Sequence, residues 1–218
     1  MAAKIYPHSR VELNDFIAKN YDAVMNVCSF GMYSLFMKRA VSDMRIHPDD
    51  HILDLGCGTG KNAKLMAGYL NEQGSITGLD ISAHMERQFL QTFKADKRIE
   101  FISQRIDKPF NLQKTYDTVF TSFVIHGFPH QVRYTVIQNA YDHLQQGGSF
   151  FILDYAEFDI DQIPLFPRYI FHQIECPYAF DFIQRDWNTI LRNQGFGNVK
   201  EYFYVRRYIR LLHAKKIR

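Results

Sequence analysis

Three glycines within five residues, Gly56, Gly58 and Gly60, follow the apolar run His51-Ile52-Leu53-Asp54-Leu55. Glycine lets a backbone turn tightly and lets a ligand approach it with no side chain in the way. The run before it reads as a short buried strand. Leu65, Met66, Tyr69 and Leu70 then mark one face of a helix. A second strand, Ser75–Asp80, closes on a carboxylate twenty positions after Gly60. An acid at that place can accept hydrogen bonds from both hydroxyls of a ribose. Strand, glycine turn, helix, strand and acid together suit an adenosine-containing cofactor.

The glycine spacing narrows the choice. A dinucleotide site wants G-x-G-x-x-G, whose third glycine permits close helix–sheet packing. Gly56 and Gly58 fit, but Lys61 stands at the sixth position. No G-K-[ST] follows the turn, so a phosphate-cradling loop is also excluded.

At 218 residues the chain suits one domain with a sizeable core. Strands 51–55, 75–80, 99–103, 116–121 and 149–153 alternate with helical patterns at 82–95 and 129–146, the latter ended by Gly147-Gly148. Such alternation argues for an α/β fold, a doubly wound and mostly parallel sheet covered on both faces. Residues 1–47 read as a helical lid. Two helices divide near Ser29-Phe30-Gly31. Val11, Phe16, Ile17, Tyr21 and Val24 mark one, and Met32, Leu35, Phe36, Ala40 and Met44 the other. Residues 48–154 form the cofactor-binding core. Residues 155–183, aromatic and broken by Pro164, Pro167 and Pro177, read as an insertion with one helix near 168–174. Residues 184–218 hold a last helix, 185–194, and a hairpin of strands near 199–205 and 207–214, leaving one antiparallel element at the sheet edge. The tail from Lys215 is expected to fray.

Composition excludes little beyond this. The net charge of +3 does not require a polyanionic partner, and nucleic acid is not expected. Cys28, Cys57 and Cys176 lack metal-ligand spacing and read as free thiols of a reducing compartment. No signal core and no apolar stretch of spanning length is present, which points to the cytoplasm. The sequence leaves the oligomeric state open.

The 54–60 turn with its flanking strands resembles the first motif of class I S-adenosylmethionine-dependent methyltransferases. Three further stretches are similar to the ubiquinone/menaquinone biosynthesis C-methyltransferases: Asn20-Tyr21-Asp22-Ala23-Val24-Met25-Asn26 with Ser29-Phe30-Gly31, then Ile76-Thr77-Gly78-Leu79-Asp80-Ile81-Ser82, then Leu144-Gln145-Gln146-Gly147-Gly148. The likeness covers residues 12–155. It implies a seven-stranded Rossmann-like sheet, S-adenosylmethionine as cofactor, S-adenosylhomocysteine as product, and a small or lipid-like acceptor such as a quinol. The chain departs from that signature at Tyr33 and Phe36, where His and Trp are usual. It departs again at Asp154-Tyr155-Ala156, and at Arg105-Ile106, where an acid or amide normally meets the adenine.

For the cofactor, the resemblance implies Asp54, Gly56, Gly58 and Thr59 around the methionyl group and Asp80 on the ribose. Ile81 and Ile106 would sandwich the adenine, and Ser122 would stand at the strand-order reversal. Arg105 cannot accept from the adenine amino group but can stack on the ring. Tyr21 is placed to cover the sulfonium, or to serve as a core tyrosine. His126 reads either as the group that takes a proton from the acceptor or as a structural histidine. Asp154 and Glu157 at the tip of strand five are the other candidate bases, or solvated loop carboxylates. No metal site is expected, because Gly127 and Pro129 interrupt the spacing of His126 and His130. The rival functions are O- or N-methylation of another metabolite or phospholipid head group, and a cofactor-binding module without catalysis. The basic stretch Val205-Arg206-Arg207-Tyr208-Ile209-Arg210, followed by Lys215 and Lys216, suggests peripheral membrane contact or a charge-protected edge strand.

Overall fold

The apolar runs assemble into the middle of one sheet. A computed structural model describes Tyr6, Ser9 and residues 33–217. Its strands are β1 (His51–Leu55), β2 (Ser75–Asp80), β3 (Ile99–Ser103), β4 (Tyr116–Ser122), β5 (Leu144–Tyr155), β6 (Phe196–Tyr204) and β7 (Ile209–Lys216). They run in the order β3-β2-β1-β4-β5-β7-β6. The pairings from β3 across to β5 are parallel, and β7 is antiparallel to both β5 and β6. Only His51 of β1 is exposed, because helices cover both faces of a parallel sheet and leave no polar side. Since β1 pairs with β2 on one side and β4 on the other, the strand order reverses there. The crevice beyond the carboxyl ends of β1 and β4 is where such sheets bind ligands.

The helices are α1 (Tyr33–Asp43), α2 (Lys61–Ala67), α3 (Ala83–Phe93), α4 (His130–His143), α5 (Leu165–Ile174), α6 (Pro177–Phe182) and α7 (Trp187–Asn193). Ser82 caps α3 by accepting from the Met85 amide, and Asp186 caps α7 by accepting from that of Thr189 at 3.0 Å. One core, with Phe36, Met37, Ala40 and Val41 of α1, covers one sheet face through Ile52, Phe120, Phe151 and Leu211. The other joins Leu53, Val119, Phe150 and Leu212 to α4, to the insertion residues Phe171 and Phe182, and to Trp187 of α7.

Several sequence expectations need correction. Leu35 is exposed, and Met37 and Val41 take its place on the buried face of α1. Helix α4 stops at His143, not near 146. Leu144 is buried and pairs with Tyr116, so β5 starts early, and Gly147 (φ +76°) lies within the register shift between that pair and Thr118–Ser149. The insertion holds two helices, not one. The antiparallel strand lies one place in from the edge, because β6 crosses beyond it. Lys215 and Lys216 belong to β7, and the Lys216 ammonium donates to the Tyr141 and Leu144 carbonyls at 2.8 Å, so the tail is held as far as Ile217. The first N-terminal helix, with Tyr21, as well as Cys28 and Met32, lies outside the described residues.

Candidate active site

The glycine turn is tied to the end of β2. Gly56 and Cys57 donate their amides to the Leu79 carbonyl at 2.8 and 3.0 Å. Gly56 has φ +79°, and a Cβ there would come within 2.6 Å of a Val124 methyl. Gly58 also has positive φ, but a Cβ on it would meet nothing within 4 Å among the described residues, so they leave this backbone open. Its amide donates to Asp80 Oδ2 at 3.0 Å. Asp80 Oδ1 accepts from the Ile81 and Ser82 amides at 2.7 and 2.9 Å. A carboxylate offers about four lone-pair sites. Three amides already use Asp80, so its capacity for a ribose is smaller than the sequence suggested.

Asp54 lies beneath this turn and is 1 % exposed. Its Oδ2 has no hydrogen-bond partner among the described residues. Burial, and then the negative charge of Asp80, push its carboxyl up to about 8. A buried carboxylate in that state is stabilised by any cation brought beside it. S-adenosylmethionine carries an ammonium and a sulfonium, so the residues present fit that group. Thr59 is half-buried next to Gly58.

The two proposed adenine partners differ. Ile81 is 42 % exposed, whereas Ile106 is 7 % exposed and sits in the core with Leu79, Ile125 and Phe128. Asn139 donates to the Ile106 carbonyl at 2.9 Å. Ile106 therefore offers a ligand little side-chain surface. Arg105 forks onto Asp107, with Nε–Oδ1 at 2.9 Å and Nη2–Oδ2 at 2.7 Å, and the Tyr6 hydroxyl donates to the same carboxylate. Ser9 donates to the Gly127 carbonyl at 2.7 Å, so the N-terminal segment reaches the loops after both β3 and β4. Ser122 is half-buried at the end of β4, and Phe123 (φ +53°) turns the chain beyond it.

His126 lies just past β4, in a 3-10 turn over residues 125–127. Its Nδ1 is 2.8 Å from Asp154 Oδ1, and its Nε2 is 3.4 Å from Glu175 Oε2. The Tyr155 hydroxyl donates to Glu175 Oε1 at 2.7 Å. Burial acts to lower the imidazole, but the charges of Asp154 and Glu175 outweigh it and hold His126 well above its usual range. His126 is thus the cation of an acid–histidine–acid set in which Asp154 is buried and His126 and Glu175 are partly exposed, not a free base near neutrality. Asp154, 1 % exposed, also accepts from the His126 and Tyr155 amides, which makes it the group that orients the ring. Glu175 carried no sequence signal, because only the packing of Phe171 against Tyr155 brings the end of α5 to His126.

Glu157 does not join this set. Arg210, 2 % exposed, forks onto it, with Nη2–Oε1 at 2.8 Å, and also reaches Glu201. Glu157 borders an open cavity of about 770 Å³ with Phe158, Ile183, Arg185 and Glu201, which shares no residue with the glycine turn. Arg210, buried in ion pairs, is also unavailable to a membrane. That removes it from the basic stretch read from the sequence.

Comparison with known proteins agrees with this geometry. Residues 52–148 match the family model of a methyltransferase domain. A demethylmenaquinone methyltransferase of Lactiplantibacillus plantarum is 26% identical over 90% of this chain and 91% of its own length. A ubiquinone/menaquinone biosynthesis C-methyltransferase of Wigglesworthia glossinidia brevipalpis is 26% identical over 92% of this chain and 75% of its own. The solved structure of an O-methyltransferase family protein from Burkholderia thailandensis superposes with a TM-score of 0.71 at 17% identity, over 95% of this chain. The chain spans 62% of that structure's length. With the sheet order and the 54–60 turn, these findings make the chain a class I S-adenosylmethionine-dependent methyltransferase. Within that class it resembles the ubiquinone/menaquinone C-methyltransferases.

Proposed function

We propose that this protein transfers the methyl group of S-adenosylmethionine to a small or lipid-like aromatic acceptor such as a quinol, with S-adenosylhomocysteine as the second product. The observation that carries the cofactor is the buried Asp54 carboxyl, whose Oδ2 has no partner among the described residues, beneath a glycine turn pinned to Asp80. The relatives named for demethylmenaquinone and ubiquinone/menaquinone support the aromatic acceptor.

The bound cofactor supplies an electrophilic methyl group, and the protein need only align the acceptor, exclude water and accept a proton. In this reading Asp54 would neutralise the methionyl ammonium, Thr59 beside the open backbone at Gly58 would hold its carboxylate, and Asp80 keeps one acceptor position for the ribose. Ile81 covers the adenine. Ser122 lines the crevice at the strand reversal. Tyr21 and the rest of residues 1–47, with the inward side of the 155–183 insertion at Phe171 and Phe182, close over the site. Asp154 orients His126. The three ionised groups Asp154, His126 and Glu175 sum to one negative charge, so the set can take one proton from an acceptor hydroxyl. Tyr155 and Phe182, edge-on to the imidazole, keep it dry.

Isothermal titration tests the cofactor. S-adenosylhomocysteine is expected to bind more tightly than NAD or ATP, and the reverse order would refute the assignment. Asp80→Ala removes a charge-assisted acceptor worth roughly 1.5–3 kcal/mol. Cofactor affinity is expected to fall by about one to two orders of magnitude. The variant also loses the anchor of the Gly58, Ile81 and Ser82 amides, so its melting temperature falls too. An unchanged dissociation constant would place the ribose elsewhere. Turnover with a panel of quinols, catechols and phospholipids then identifies the acceptor class.

A further inference from the structure

Helix α5 is apolar around most of its circumference, although the fold buries only part of it. Phe171 turns inward onto Tyr155, beside His126. Leu165, Phe166 and Tyr169 are 82 %, 64 % and 63 % exposed. Together they form a concentrated exposed apolar surface, and a soluble protein gains nothing from leaving such side chains in water. A cationic turn adjoins it. Phe158 packs on Phe171 at 5.8 Å between ring centroids and on Tyr208 at 5.2 Å. Tyr208 follows Arg206 and Arg207, which are both exposed. Arg207 stacks its guanidinium on the Phe203 ring, 3.8 Å from the centroid, and Arg206 stands free of that contact. On the α5 side, Asp161 is already answered by Arg168.

We propose that the outer face of α5, together with Arg206 and Arg207, docks the protein on an anionic lipid bilayer. Leu, Phe and Tyr on one side and arginines beside them are the composition of an interfacial helix. Such a helix lies in the plane of the membrane and is held by apolar insertion and by anionic head groups. The charge complementarity of the two arginines selects an anionic membrane over a second copy of this chain, which would bring like charges together. The inner face of the same helix borders the acceptor site, so a lipid-like acceptor leaving the bilayer has only the thickness of α5 to cross. The proposal rests on the lipid-like acceptor of the proposed function.

Flotation with vesicles of phosphatidylcholine, with and without phosphatidylglycerol, tests it on the full chain. Binding is expected only to the anionic vesicles at low salt, and it should weaken as salt rises. L165E/F166E and R206E/R207E are each expected to lower the partition coefficient at least about tenfold. Circular dichroism and S-adenosylhomocysteine binding should be unchanged in both. L165E/F166E should keep its rate on a short-chain soluble acceptor and lose it on a long-chain acceptor held in vesicles. Absence of wild-type flotation at low salt would overturn the proposal, as would undiminished flotation of L165E/F166E. A wild-type dimer abolished by L165E/F166E, without vesicle binding, would assign the face to a second copy and likewise overturn it. Failure to bind S-adenosylhomocysteine would instead undo the methyltransferase reading, whatever the vesicles show.

Discussion

Asp54→Asn is expected to stabilise the cofactor-free protein and to weaken cofactor binding. The wild-type carboxyl is buried, its Oδ2 has no partner among the described residues, and it is pushed up to about 8 from an ordinary value of 3.8. Its folded value is raised, so the folded state binds the proton more tightly than the unfolded chain does. The corresponding stability is complete below about pH 4 and drains away as the pH rises toward about 8. Each pH unit in that window costs about 1.4 kcal/mol, so a few kcal/mol are lost by neutrality. Asparagine has no proton to lose. Urea denaturation without cofactor should therefore show the variant gaining on the wild type steadily across the window. Binding should move the other way. A cation beside Asp54 favours the ionised form, so S-adenosylmethionine binding releases a proton from the wild type but not from the variant. Loss of that charge-assisted contact, about 1.5–3 kcal/mol, lowers affinity roughly tenfold to a hundredfold. Parallel pH slopes for the two proteins, or equal affinities, would show that Asp54 does not meet the methionyl ammonium.

His126→Gln is expected to lower turnover while S-adenosylhomocysteine still binds, because the acid–histidine–acid set loses its cation. Glutamine can keep a hydrogen bond to Asp154 but cannot carry the charge between Asp154 and Glu175. Removing one partner from buried charges typically costs about 3–5 kcal/mol. The variant should therefore melt earlier as well as turn over more slowly. The pH dependence separates the charge from the packing. The folded value of His126 is raised well above 6.5, so its stabilisation is complete below that pH and is lost as the pH climbs through the folded value. The variant should lack this alkaline decline. A variant with wild-type turnover would make His126 structural. One that keeps the alkaline decline would show that another group titrates there.

The glycine turn and the acid that faces it were legible in the sequence because they are local. Asp54, Gly56, Gly58 and Asp80 lie on consecutive elements, and the β1–turn–α2–β2 unit can place them in only one way. The strand centres and the Ser82 cap were legible for the same reason, since apolar runs and capping side chains act on their immediate neighbours. Element ends were less so. Leu144 continues a helical pattern, but burial against Tyr116 draws it into β5.

The sequence by itself determined the class of sheet, the glycine turn and the acid that faces it, because hydrophobic periodicity and backbone sterics work over a few residues. Only the tertiary structure decided what surrounds them. It left Asp54 Oδ2 without a partner among the described residues and used Asp80 to hold the turn. It set His126 between Asp154 and Glu175, which are separated from it by 28 and 49 positions. It buried Arg210 against Glu157 and Glu201 although its neighbours Arg206 and Arg207 stayed in water. Charge and burial depend on which distant residues meet, and no local pattern encodes that meeting. The protonation of His126 and the exposure of Leu165 and Phe166 are therefore properties of the assembled fold.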